Sequence, residues 1–275
     1  MKKALNAWSV PGDVAFPELF AQLSAAGFDG VELNLDAPDS SVHSLTMHTT
    51  AEEIRAIREL SRQYNLPIHS ISTSLYGPDT LGADCPEDRE KGRDILRRQL
   101  ELANLLGADA VLVVPGGIGP ERSIRQSWEN SLESLTSLRQ EIVSSGVKVG
   151  LENVWNNFFA SPWDMSAFLD QLDCPAIGAY FDVGNVVIFS YPESWIEILG
   201  NRIVKVHVKD FYRSGWNAGH FCNLLEGSVD WKKVMDALGK AEYNGYLTAE
   251  LEALPASPEF LYKTTSLALD HILSY

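Results

Sequence analysis

Four residues of this chain combine metal-binding chemistry with a common setting. Glu152 after Val-Gly-Leu, Asp182 after Ala-Tyr-Phe, His207 after Lys-Val and Glu250 after Leu-Thr-Ala each close a short apolar run. Runs of this kind, bounded by Gly, Pro or Asn, predict buried strands, and a charged group there is expensive to desolvate unless something compensates it. Three carboxylates and one imidazole at strand ends predict one divalent cation in a shared mouth. The donor set favours Mn, Mg or Co, with Zn also compatible. Each residue alone reads as an ordinary polar group at a loop start; four on consecutive strands make a pattern.

The elements that must bring these residues together are legible as alternating signals. Strand-like runs cover Ala4 to Trp8, Gly30 to Leu35, Pro67 to Ser72, Ala110 to Val114, Val147 to Glu152, Ile177 to Phe181, Val204 to Val208 and Tyr246 to Glu250. Helix starts lie between them: a capping box at Thr50-Ala51-Glu52-Glu53, then Ser161-Pro162-Trp163-Asp164, then Ser257-Pro258-Glu259. Gly27, Gly107 and Gly245 are expected to end helices in left-handed turns that drop the chain into the next strand. Eight repeats of strand and helix with no Pro-, Gly- or Ser-rich linker predict an α/β fold, a (β/α)8 barrel of eight parallel strands, as a single domain over residues 1–275. A doubly wound open sheet is the alternative. In a barrel the carboxyl ends of all strands converge on one face, and neighbouring strands about 4.8 Å apart would set the four residues on one arc. The long connections at Asp36 to Thr49, Ser74 to Asp88 and Phe211 to Ser228 are expected to wall the pocket.

Composition narrows the partners. At 275 residues and 45% hydrophobic the chain can bury a large core. A formal net charge of -15 repels phosphate backbones and anionic headgroups, so neither nucleic acid nor a membrane surface is expected as a partner. Cys85, Cys174 and Cys222 form no CxxC spacing and give an odd count, which fits a reducing, cytoplasmic setting. The N-terminus has no long apolar stretch, and no segment reaches the roughly 20 apolar residues of a membrane span.

Further residues are candidates for the pocket. Glu32 is an acid inside a strand run and is expected to face the mouth, bonding a substrate hydroxyl or a neighbouring histidine. His69 is either a pocket-wall or a core histidine, an ambiguity His207 shares. Lys209 is expected to meet a substrate oxygen or to pair with Asp210, and Asp210 to orient His207 or close a loop. Trp8, Trp155 and Phe158 are candidates for an apolar wall of the pocket, or for rim packing. The turn Pro115-Gly116-Gly117-Ile118-Gly119-Pro120 has neither dinucleotide nor P-loop spacing.

The segments Leu151-Glu152-Asn153, Tyr180-Phe181-Asp182-Val183-Gly184-Asn185, Val206-His207-Val208-Lys209-Asp210 and Leu247-Thr248-Ala249-Glu250 resemble the motifs of the xylose isomerase-like barrel superfamily. They are most similar to its sugar (phosphate) isomerase/epimerase branch, which includes tagatose and psicose 3-epimerases and ribulose-phosphate 3-epimerases. The resemblance implies that Glu152, Asp182, His207 and Glu250 bind one divalent metal. It also implies that Glu152 and Glu250 form the acid/base pair on opposite faces of a small ketose or ketose phosphate. It places substrate contacts at Asn185, where the free-ketose epimerases carry histidine, and at Arg213, which resembles the arginine that holds a distal substrate oxygen. His220 in the same loop reads as a surface histidine. A homo-oligomer is implied as well. The alternatives are a keto-cyclitol (inosose-type) dehydratase, which begins with the same proton abstraction, and a non-catalytic sugar-binding barrel.

Overall fold

The computed structural model describes residues 1–77, 81–215 and 217–275. Pro78, Asp79, Thr80 and Trp216, which fall within two of the expected pocket walls, lie outside the described residues. Ten strands are described: β1 Lys2–Asn6, β2 Gly30–Leu35, β3 Ile68–Thr73, β4 Ala110–Val113, β5 Lys148–Glu152, β6 Ile177–Asp182, β7 Ile203–Val208, β8 Asp210–Gly215, β9 Ala218–Cys222 and β10 Tyr246–Ala249. Eight of them close a barrel in the order β1-β10-β7-β6-β5-β4-β3-β2, and every barrel pairing is parallel. This is the (β/α)8 barrel, and the open sheet is set aside. Among the described residues no helix is long and apolar enough to cross a membrane.

Helices α1 Phe16–Ala25, α2 Ala51–Gln63, α3 Pro86–Leu106, α4 Ile124–Ser137, α5 Arg139–Ser145, α6 Pro162–Leu172, α7 Val183–Val187, α8 Pro192–Leu199, α9 Trp231–Lys240 and α10 Pro258–Leu273 connect the strands. Their apolar faces supply the core between helix ring and barrel, with Phe20, Leu96, Phe168 and Trp195 fully buried. The barrel interior is unlike a packing core of branched aliphatics. Asn6, Glu32, Asn34, Ser70, Ser72, Tyr180, Lys205, His207 and Thr248 are all buried.

The expected capping box at the start of α2 is formed: Glu53 N donates to Thr50 Oγ1 at 3.3 Å and Thr50 N to Glu53 Oε2 at 2.7 Å. Thr50→Ala should cost about 1 kcal/mol of stability, read as a shifted urea midpoint at unchanged slope. A midpoint identical to the parent would mean that the cap is not worth its usual amount.

Three local expectations are corrected. β1 ends at Asn6, two residues short of Trp8, because the Asn6 side chain accepts from Trp8 N at 2.7 Å and turns Ala7–Ser9 into a 3-10 helix. Phe211 to Ser228 walls the pocket as expected, through Phe221, Cys222, Asn223 and Glu226, but it is not an irregular connection: it contains the antiparallel hairpin β8–β9, which carries no apolar alternation to announce it. Gly27 and Gly107 take the left-handed turn (φ 86° and 83°), but after α9 that conformation belongs to Glu242 (φ 56°), not Gly245. Gly245 serves a close approach instead: a Cβ there would lie 2.6 Å from Tyr243 Cζ.

Candidate metal centre

The four strand-end residues meet at the carboxyl-terminal mouth. Glu152 is the last residue of β5 and Asp182 the last of β6, where it also caps α7 by accepting from Asn185 N at 2.8 Å. His207 is the penultimate residue of β7, in register with Asp182 on one side and Thr248 on the other. Glu250 follows β10 directly, and its N–H still bonds Val208 O at 3.1 Å. One donor atom from each of the four lies within 4.8 Å of all the others. Asp182 and His207 are fully buried and Glu152 nearly so, while the Glu250 side chain is 20% exposed and opens the cluster to solvent.

Lys209 is the one Lys or Arg at this cluster among the described residues: its Nζ stands 2.5 Å from Glu250 Oε2 and 3.0 Å from Asp182 Oδ2. It therefore pairs with the cluster and not with Asp210. The contact with Asp182 is an ion pair alone: Asp182 Oδ2 is buried and accepts no hydrogen bond. Asp210 closes a loop: it accepts from the backbone N–H groups of Phe211, Leu225 and Val229 and from Trp231 Nε1.

The electrostatics express an excess of negative charge. Burial, with Glu250 and Asp182 adding, pushes the Glu152 carboxyl up to about 7, against the pull of His207. Burial also raises Asp182, with Lys209 opposing. At Glu250 burial is outweighed by Lys209 and His207, and the carboxyl is held below its ordinary value. His207 is raised well above the ordinary imidazole range: burial works against this, but Glu32 and Glu152 dominate. Three carboxylates around one ammonium and one imidazole, whose Nδ1 proton a metal would replace, suit a divalent cation, and Asp182 Oδ2, ion-paired with Lys209 but accepting no hydrogen bond, offers a ligand atom. The residues fit such an ion.

The remaining candidates separate. Trp155 stands at the rim, half exposed, its ring 4.8 Å from that of Phe221. Trp8 borders the mouth and donates from Nε1 to Asp36. Phe158 packs the rim, buried among Trp128, Phe159 and Phe168. Asn185 spends its amide on Asn153 O at 3.0 Å and is mostly buried. Arg213 clamps the α7–α8 connection, donating to Val187 O and Ser190 O with its guanidinium over the Tyr191 ring. His220 lies on the exposed face of β9 beside Tyr212.

Two residues expected in the pocket sit beneath it. Glu32 is fully buried and bonds His207, not a surface the substrate can reach. His69 lies deeper, at 3.1 Å from Thr248 Oγ1 and 3.3 Å from Lys205 Nζ, with its ring stacked on Tyr246. Lys205 precedes His207 by two residues on β7, about 6.6 Å toward the opposite end of the barrel. The extra residue in β3 opposite the Val31–Glu32 step is His69 itself, a bulge that no periodicity in the sequence announces.

One residue at the centre had no role assigned from sequence. Asn153 joins the ends of β5 and β6 by donating to Asp182 O at 2.9 Å and accepting from Asp182 N at 2.8 Å. Its place directly after Glu152 was the only local signal. The Gly-rich turn after β4 is engaged internally, with Gly116 O accepting from Asn156 and Gly117 N donating to Ser127 Oγ.

A closed (β/α)8 barrel with an acid-and-imidazole cluster at its carboxyl-terminal mouth defines the class. The chain belongs to the xylose isomerase-like TIM barrel family, whose family model matches residues 20–269. An Escherichia coli (strain K12) protein named as an L-ribulose-5-phosphate 3-epimerase is 24% identical over 243 residues, covering 87% of this chain and 84% of its own. An inosose dehydratase of Geobacillus thermodenitrificans is 19% identical over 274 residues, covering 89% and 85%. Among solved structures, the D-allulose 3-epimerase from a Methylomonas species superposes with a TM-score of 0.79 at 19% identity, over 99% of this chain and 98% of that one. A D-tagatose 3-epimerase-like protein gives 0.82 at 19% identity, over 100% and 97%. At such identity the structures share the fold. Sugar epimerases recur among these relatives and neighbours, which places the chain among enzymes.

Proposed function

We propose that this chain is a divalent-metal-dependent isomerase or epimerase of a small, uncharged ketose. The observation that carries the reading is the position of its two glutamates. Glu152 and Glu250 come from the outer members of the consecutive strands β5, β6, β7 and β10, so they flank the shared donors of Asp182 and His207 from two sides. A ketose lying between them would present opposite faces of one carbon to two carboxylates. One takes the proton next to the carbonyl, and the other returns a proton from the far side, which inverts the carbon. Abstraction from C1 instead, with the proton returned to C2, gives the aldose. A bound divalent cation would stabilise the negative charge that develops on the substrate oxygens during this exchange. Lys209 holds Glu250 and Asp182 in place, and Trp155 with Phe221 offers an apolar wall to the sugar's carbon face.

Charge supports the restriction to uncharged substrates. A cavity of about 730 Å³ opens from Lys209 and Glu250 and is bordered by Trp8, Phe221, Glu226 and Glu252. Among the described residues lining it, Lys209 is the only Lys or Arg, and it is already paired with carboxylates. Arg213 is committed to backbone carbonyls. The residues outside the described set are Pro, Asp, Thr and Trp and add no cation. A phosphate would enter a field set by Glu226 and Glu252 with no counter-charge.

The test is to incubate the metal-loaded protein in heavy water with pentuloses, hexuloses and their phosphates, and to locate the label by NMR. Deuterium should enter at the carbon beside the carbonyl, EDTA should stop it, and free ketoses should exceed their phosphates by about a hundredfold in kcat/KM. Turnover without exchange would sink the isomerase reading, and preference for a phosphate would sink the restriction. The inosose dehydratase relatives make one further outcome specific: an ultraviolet-absorbing enone or dione from a keto-cyclitol would assign a dehydratase instead.

A further inference from the structure

Directly below the cluster, Glu32 carries a carboxylate with no exposure at all, a placement that costs heavily unless the charge is satisfied. Four groups satisfy it. Asn6 Nδ2 donates to Oε1 at 2.6 Å, the hydroxyls of Ser70 and Tyr180 donate to Oε2, and His207 Nε2 lies 2.5 Å from Oε1. An ionised carboxylate only accepts, so the proton in the contact with His207 sits on Nε2. With Nε2 committed to Glu32, Nδ1 is the nitrogen whose proton a bound cation would replace. That atom lies 3.3 Å from Glu152 Oε1 and 3.8 Å from Glu250 Oε2, at the cluster itself.

We infer that Glu32 is a positioning residue: anchored by Asn6, Ser70 and Tyr180, it fixes the His207 tautomer and ring so that Nδ1 faces the donors of Glu152, Asp182 and Glu250. The anchors are themselves tied. Ser70 Oγ and Tyr180 Oη lie 3.1 Å apart, Asn6 Nδ2 is 3.1 Å from Ser72 Oγ, and Asn34 Nδ2 is 2.5 Å from the same hydroxyl. The Tyr180 ring stands 4.6 Å from the imidazole at 59°, blocking rotation from the side. Space for that tyrosine comes from Gly150 on β5, where a Cβ would fall 2.8 Å from Tyr180 Cβ. Six strands of the barrel, β1, β2, β3, β5, β6 and β7, thus contribute to the aim of one nitrogen. A carboxylate behind a ligating imidazole raises its basicity and holds its direction, and losing one typically weakens metal binding ten- to a hundredfold.

The inference rests on the cation reading of the cluster, and the experiment separates the two. Titrating Mn2+ into the full-length protein by calorimetry should give a Kd that Glu32→Gln weakens by about ten- to a hundredfold, with Glu32→Asp in between. Far-ultraviolet circular dichroism checks that the variants are folded. A wild type that takes up no Mn2+ defeats the cation reading. A folded Glu32→Gln variant with an unchanged Kd defeats the positioning role, because a merely structural residue would lower the unfolding midpoint alone. The 15N spectrum of His207 in the Mg2+-loaded wild type decides independently of any variant: the proton on Nε2 is expected, and a proton on Nδ1 overturns the assignment.

Discussion

Glu250→Gln, at saturating Mn2+, should lower net ketose conversion by about a thousandfold or more, and Glu152→Gln should do the same. Glutamine keeps the shape of the side chain but neither accepts the substrate's proton nor brings a full negative charge to the donor set. In the proposed mechanism each glutamate serves one face, so the two variants should differ in what survives. One should still exchange deuterium into the first epimer, and the other into the second, since removing the partner base leaves the half-reaction on the intact side. The measurement is deuterium incorporation into each purified epimer, alongside a Mn2+ titration showing that the ion is bound. Conversion within about tenfold of the parent in either variant would remove that residue from the acid/base pair.

The second large effect concerns Lys209. Its ammonium, 14% exposed, bridges Glu250 and Asp182, so Lys209→Met leaves both carboxylates beside Glu152 with no ammonium between them. Breaking a fully buried pair costs about 3–5 kcal/mol, and the partial opening to solvent here brings the expectation to about 2 kcal/mol in metal-free protein. A cation would restore what the lysine supplied. In excess Mn2+ the deficit should therefore shrink, because an ion that binds only the folded state stabilises it by RT ln(1 + c/Kd), a term that grows with the free ion concentration c relative to its Kd. Urea unfolding of both proteins with EDTA and with Mn2+ reads this directly. Equal deficits under the two conditions would show that Lys209 and the ion do not share a site.

Much of the architecture was legible because barrel strands are short apolar runs and the helices between them carry caps. The capping boxes at Thr50 and Ser161 and the first-turn prolines at Pro162 and Pro258 mark local hydrogen bonds and φ values, so neighbours in sequence suffice to reveal them. What stayed open, or misled, were places where a distant partner decides. Glu32 looks the same in sequence whether it bonds a substrate hydroxyl or a neighbouring histidine; the second of these two expectations is the one formed, through a contact that spans 175 positions. Arg213 after β7 suggested a free fork for substrate oxygens, but the α7–α8 connection lies within its reach and takes it. Lys209 beside Asp210 suggested a local pair, yet neighbours on an extended strand point to opposite sides, and the barrel supplies Glu250 and Asp182 instead.

The sequence by itself determined the strand-and-helix alternation and the identity of the four donor residues, since both are carried by composition and spacing along a short stretch of chain. Tertiary structure alone decided the balance of charge at the mouth, the burial of Glu32 and His69, and the direction in which His207 points. Those properties depend on barrel closure, which sets β10 beside β1 and β7 and brings side chains remote in sequence within a few ångströms, where burial and Coulomb forces outweigh anything local.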